Sequence, residues 1–228
     1  MARRLPSSAD QLPSSAPAFP ARDDRAEPDP AGDTAALAVL LDVLPQAILL
    51  VNANATVRRA NRAAAALLRA GDGLLVSKQR LAATRPTDTA ALHCVIAAAG
   101  GGTQRGNAVV TLRRPSERPP LALLVWALEK LQPAGPALVA VFVSDPDRPA
   151  ALSEPLLRRL HGLTRAEARL ASFLADGHSL LEAAARLGVG RATVRTHLQR
   201  ILEKTGTNRQ ASLLRLLLTG LAHLRIDR

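Results

Sequence analysis

The sequence predicts an α+β chain: an antiparallel sheet with helices, followed by an all-α region. Three observations carry this. Strand-length apolar runs bounded by Pro, Gly or Asn fall only between positions 47 and 143. The last third holds no convincing strand and five segments of helical period. The length of 228 residues suits two small domains better than one or three.

The elements follow in chain order. Residues 1–33 hold six prolines, four basic and six acidic groups, and read as a disordered tail. Thr34 is placed to cap a helix whose Leu37, Leu40, Leu41 and Leu44 fall at helical spacing, with Pro45 as its stop. Residues 47–51 form a strand, 52–54 a turn and 56–59 a second strand. An alanine-rich helix at 63–69 offers Leu67 and Leu68 to a sheet. Another helix at 88–99 is ended by Gly100, Gly101 and Gly102. Strands at 108–112, 121–128 and 138–143 are separated by loops rich in Pro and Gly, which gives an antiparallel meander with helices on one face. The divisions expected are 1–33, 34–148 and 149–228, with a hinge at 144–153.

Helices are expected at about 153–161, 164–176, 179–187, 191–205 and 208–222. Thr164 with Glu167, Ser179 with Glu182, and Thr207 with Gln210 each have the capping-box spacing, in which a hydroxyl and a side chain three residues on satisfy each other's backbone donors. Gly177 and Gly206 stand where left-handed C-caps belong. Ala184, Gly188 and Val194 form the seam of a helix-turn-helix. The small Ala lets two helices cross closely, Gly permits the positive φ of the turn, and Val fills the gap. On the second helix Val194, Leu198 and Ile201 make the inward stripe, with Leu202 beside it. The opposite face holds Ala192, Thr196, Gln199 and Glu203. Arg195 flanks it on one side, Thr193 and Arg200 on the other.

Charge points to a polyanionic partner. The net charge is +11, and residues 151–228 carry 13 basic against 6 acidic groups. Aromatics are 2%, which argues against a surface that stacks single-stranded bases. The single Cys94 excludes an intrachain disulfide and a thiolate-rich metal site. Cys94 beside His93 is read as a small buried residue of an amphipathic helix rather than a ligand. No apolar h-region follows Arg3 and Arg4, and Asp42 and Pro45 interrupt the longest apolar stretch, so a cytoplasmic chain without a membrane span is expected. Phosphate-cradling, zinc-protease and nucleophile-elbow motifs are absent.

Several stretches together are specific: Leu163-Thr164-Arg165-Ala166-Glu167, Gly177-His178-Ser179, Ala184 with Leu187-Gly188-Val189, Thr193-Val194-Arg195-Thr196-His197-Leu198, and Lys204-Thr205-Gly206. From near 160 to 224 the chain resembles the LuxR-type helix-turn-helix domain of bacterial transcription regulators. That resemblance implies DNA contact at Arg195, Thr196 and Gln199. Gln199 stands where family members often carry Lys, which implies fewer phosphate contacts. Gly190 stands where many carry a capping Ser, and His197 matches a histidine the family tends to carry. Upstream, Leu44-Pro45-Gln46-Ala47-Ile48-Leu49-Leu50-Val51 and Ala60-Asn61-Arg62-Ala63-Ala64 with Leu67-Leu68 are similar to a PAS-like sensor domain. Such domains sense a small molecule or mediate dimerisation.

The resulting expectation is a one-component transcription regulator, not an enzyme, with no cofactor, metal or catalytic residue. Its PAS-like domain receives an unidentified input, with a small-molecule ligand as one form of it. Its partner is double-stranded DNA. Thr193, Arg195, Thr196 and Gln199 meet bases or nearby phosphates, while Arg191, Arg200, Lys204 and Arg209 mainly hold the backbone. Reading enough base pairs calls for a homodimer on two half-sites. The surplus of apolar positions among Leu213, Leu214, Leu216, Leu217, Leu218 and Leu221 offers a dimer surface. RNA polymerase is the further partner that such a role brings in. Two alternatives stay open: a sigma-factor-like subunit, disfavoured by the aromatic-poor centre, and a small-molecule-binding or enzymatic protein with a basic C-terminal interaction module.

Overall fold

The structure is a computed structural model that describes residues 30–101, 107–128, 137–149 and 152–224. Helix α1 (Pro30–Val43) leads into β1 (Ala47–Asn52), β2 (Val57–Ala60), α2 (Arg62–Ala70), β3 (Leu74–Ser77) and β4 (Arg80–Ala83). Then come α3 (Pro86–Gly100), β5 (Asn107–Leu112), β6 (Leu121–Ala127) and β7 (Leu138–Ser144). Five helices follow: α4 (Glu154–His161), α5 (Arg165–Ala175), α6 (Leu180–Leu187), α7 (Arg191–Thr205) and α8 (Gln210–Thr219), with one 3-10 turn at Leu221–His223. This is the expected α+β arrangement, an antiparallel sheet with helices followed by an all-α region.

The five-stranded sheet runs β2-β1-β7-β6-β5, every pair antiparallel. The first and last large strands therefore lie side by side at its centre. Alternation makes it one-sided. Ala47, Leu49 and Val51 of β1 and Leu121, Leu123 and Val125 of β6 are buried, while Ala122 and Trp126, at alternate positions of β6, are exposed. Helices α2 and α3 cover the inner face with Ala63, Ala64, Leu92, Ile96 and Ala99. Asn61, singled out at the start of α2, ties three elements together. Its Oδ1 accepts from Ile48 N (3.0 Å) and Ala64 N (2.9 Å), and its Nδ2 donates to the Leu41 (2.9 Å) and Gln46 (2.8 Å) carbonyls. All four hydrogen-bonding positions of this buried amide are used.

At the far end of the sheet Arg114 bridges two acids. Its Nε lies 2.8 Å from Asp72 Oδ2 and its Nη1 lies 2.6 Å from Asp145 Oδ1. The Ser116 hydroxyl donates to Asp72 and holds its carboxyl below the ordinary value; burial opposes this and Arg114 adds to it.

Five readings of the sequence need correction. Helix α1 begins at Pro30, so Thr34 lies inside it and is not its cap; residues 1–29 of the expected tail lie outside the described residues. Between α2 and α3 the sequence suggested no strand, yet β3 and β4 form a hairpin through Lys78 and Gln79, whose φ values are 49° and 64°. Hairpin turns of this kind are announced by Asn-Gly or Asp-Gly, and neither residue is present. Gly100 is not a terminator. It belongs to α3, and an added Cβ would stand 2.6 Å from the Ala53 Cβ, so it is small because the helix packs against the β1–β2 turn. Gly101 caps α3 in a right-handed conformation, and Gly102 lies outside the described residues. Cys94 is exposed rather than buried.

The last correction concerns the final helix. Thr207 and Gln210 do not form a capping box, because α8 starts at Gln210 with Arg209 as N-cap and no side-chain cap bond. The Thr207 amide is already used: it donates to Leu202 O (3.0 Å) in the Schellman closure of α7. No helix among the described residues is long and apolar enough to cross a membrane.

Candidate nucleic-acid interface

Local chemistry sets the ends of both central helices. Ser179 Oγ accepts from Glu182 N (3.2 Å), and Glu182 Oε2 accepts from Ser179 N (2.8 Å), which starts α6. Those Ser179 bonds hold the Glu182 carboxyl below its ordinary value. Gly188 ends α6 at φ 68°, where the amides of Gly188 and Val189 bond back to Ala185 O and Ala184 O. A Cβ at Gly188 would meet no neighbour, so the positive φ alone calls for glycine. Gly190 then N-caps α7 from an extended conformation without a side-chain bond.

The seam between the helices is apolar. Ala183, Ala184, Val194 and Ile201 are buried, and Leu198, Leu187 and Val189 pack on them half-buried. The same cluster takes in Leu170, Ala171 and Leu174 of α5 and Leu213 and Leu217 of α8. With one stripe of α7 committed inward, the 3.6-residue period turns the other residues outward. Arg191, Ala192, Thr193, Arg195, Thr196, Gln199, Arg200, Glu203 and Lys204 are all exposed, and so is Arg209. Each of the eight residues expected at the site is thus exposed, on α7 or just before α8.

Their bonding separates them. Arg191, Arg195, Arg200 and Arg209 make no ion pair among the described residues. Arg191 and Arg195 line, with Leu180 and Leu181, a groove of about 210 Å³ where α6 and α7 begin. The Thr196 hydroxyl donates to Ala192 O (3.1 Å) and Gln199 Nε2 to Glu203 Oε1 (3.1 Å), both at the surface. Glu203 puts a negative charge at the C-terminal end of this face, so an anion is favoured less there than over its N-terminal half. Lys204 is held from the other side: its Nζ lies 2.6 Å from the buried Glu167 Oε2. Sequence reading found Glu167 only as a capping residue; its cation lies 37 residues away and leaves no local signal. His197 is half-buried, with a buried Nδ1 that has no partner among the described residues.

Elsewhere, no group of three or more His, Cys, Asp or Glu among the described residues is placed to hold a metal. His93 donates from Nε2 to Leu81 O (2.7 Å), which leaves Nδ1 to accept from Arg80 Nη2 (3.2 Å). Of the apolar surplus in the last helix, Leu213 and Leu217 are buried, whereas Leu218 is 49% and Leu221 62% exposed.

No protein-family model and no curated protein matches the chain. It is similar to the solved phage VqmA–DPO complex, at 18% identity over 84% of this chain and 91% of that one, with a TM-score of 0.33. It is also similar to the Vibrio cholerae VqmA dimer, described as a LuxR-type receptor, at 17% identity over 80% and 86%, with a TM-score of 0.32. Over 57% of its length it is similar to the PAS domain of Bordetella pertussis BvgS, covering 96% of that domain at 14% identity and a TM-score of 0.35.

Proposed function

We propose that this chain is a transcription regulator whose α7 lies in the major groove of duplex DNA and whose sheet unit receives the controlling input. The observation that carries the reading is the exposed face of α7. It is polar over its N-terminal half and rimmed by arginines that make no ion pair among the described residues, on a helix locked by an apolar seam to a shorter one. In this reading Thr193, Arg195, Thr196 and Gln199 meet base edges or nearby phosphates, and Arg191, Arg200 and Arg209 hold the backbone. Thr196 and Gln199 exchange weak surface bonds for contacts with DNA. A homodimer on two half-sites is part of the proposal, supported by the exposed Leu218 and Leu221. A small molecule is the input we propose for the sheet unit.

A gel-shift comparison of the chain with its Arg195→Ala/Gln199→Ala variant tests the reading on duplexes enriched from a random-sequence pool. The variant is expected to lose about 2 kcal/mol or more of binding and to relax base preference. Equal duplex binding by the two proteins rejects the assignment of α7.

A further inference from the structure

We propose that Lys204 is a positioning residue: it latches the last turn of α7 to α5 through the Glu167 carboxylate and makes no contact with DNA phosphate. Its consequence for binding rests on the DNA-binding reading above. The Glu167 side chain is 1% exposed, and its Oε2 accepts both Lys204 Nζ at 2.6 Å and Thr164 N at 2.8 Å. One carboxylate thus caps the start of α5 and grips the end of α7. A buried carboxylate stripped of its cation is left as an uncompensated charge, so an approaching phosphate does not draw Lys204 away. Position agrees. At 100° per residue Lys204 stands about 100° round the helix from Glu203, on the flank it shares with Thr193 and Arg200, but at the end of α7 where Glu167 of α5 is within reach. Arg200, one turn earlier, is exposed and has no ion pair among the described residues.

The latch matters through leverage. Val194 fastens the N-terminal half of α7 to α6, while Ile201 and the Lys204–Glu167 pair fasten its last turn. Thr193 and Lys204 are about 16 Å apart along the axis. A tilt of about 5° pivoting at Lys204 displaces Thr193 by about 1.4 Å, more than the whole range of N···O distances at which a hydrogen bond is strong. Burial alone would raise the Glu167 pKa; the bond from Lys204 and those from Thr164 outweigh it and hold the carboxyl below its ordinary value.

The test follows the affinity of the full chain for an enriched duplex as salt rises. Arg200→Met is expected to flatten the slope of log K against log salt by about 0.9, the loss of one phosphate contact. Lys204→Met is expected to keep the wild-type slope and weaken binding about tenfold at every salt, as one misplaced base contact would. Glu167→Gln leaves the lysine charged and released, and is expected to weaken binding as well. This arm decides the matter if Lys204→Met does not fold. The pair Glu167→Gln/Lys204→Met should cost less than the two single changes added together. A slope flattened by Lys204→Met as by Arg200→Met overturns the latch, and so does a Glu167→Gln protein that binds as tightly as wild type or tighter. Failure of the DNA reading looks different, because the unchanged chain would then shift no duplex. The latch is in that case read from amide exchange at 201–205, which should quicken in Lys204→Met and Glu167→Gln but not in Arg200→Met. Unchanged exchange overturns it.

Discussion

The sheet unit and the helical unit are held together by different kinds of information. In the helical unit most helix ends are decided within a few residues of themselves: Thr164–Glu167 and Ser179–Glu182 close two N-termini, and Gly177, Gly188 and Gly206 turn three C-termini with positive φ. In the sheet unit the decisive bonds join distant parts of the chain. Asn61 reaches back to Leu41, Gln46 and Ile48, and Arg114 gathers Asp72 and Asp145. The contrast teaches that the helical unit draws most of its specificity from caps, with Glu167–Lys204 as its one long-range ion pair among the described residues, whereas the sheet unit rests on several long-range polar clasps over an apolar face.

The largest expected effect tests whether caps suffice. Ile201→Ala removes a fully buried side chain under α7 and is expected to cost about 4 kcal/mol, read as a lower denaturant midpoint with amide protection lost in 165–219. If protection there survives, packing is a lesser part of the helical unit than the caps. Next, Asn61→Ala strips a buried amide from its partners in α1, β1 and α2 and is expected to cost about 3 kcal/mol, with faster exchange centred on β1. An effect no larger than a surface change would dissolve the contrast from the sheet side. Third, Gly188→Ala forces a side chain into a left-handed turn and should cost about 1 kcal/mol, with no new steric contact to explain it.

The smallest effect is an acid one. The Glu167 carboxyl titrates below the ordinary glutamate range in the folded chain. Its contribution is therefore fully present above about pH 4.5 and is lost as the pH falls through the depressed folded value. Acid titrations of thermal stability should show this loss in wild type and its absence in Glu167→Gln.

The same contrast explains what could be read in advance. Helix α7 lies at the predicted 191–205, and its inward and outward faces match the helical wheel, because caps and periodicity are written in adjacent residues. Two of the three capping boxes exist. The third was lost to a competitor, since the Thr207 amide closes α7 instead. The β3–β4 hairpin was invisible because Lys78 and Gln79 take positive φ without the usual turn residues. All eight expected interface residues are exposed. The bond that ties the exposed Lys204 to α5 is not legible, because nothing near position 204 announces a buried acid at 167. Cys94 lies with Thr87, Ala90, Ala91 and Ala97 on the exposed face of α3, where small, mostly apolar residues do not mark the outward side.

The central seam between β1 and β7 has a further consequence, for the order of events during synthesis. Gln46 and Val143, bonded across it, are 97 residues apart. On the ribosome β1 emerges long before its inner neighbour exists, and its ladder groups wait exposed while that whole span is made. Closing so long a loop is slow, whereas the helix pairs downstream meet across short connections. The part of the chain translated first is thus completed late, and its open strand edge during that delay is where a chaperone would act or aggregation would begin.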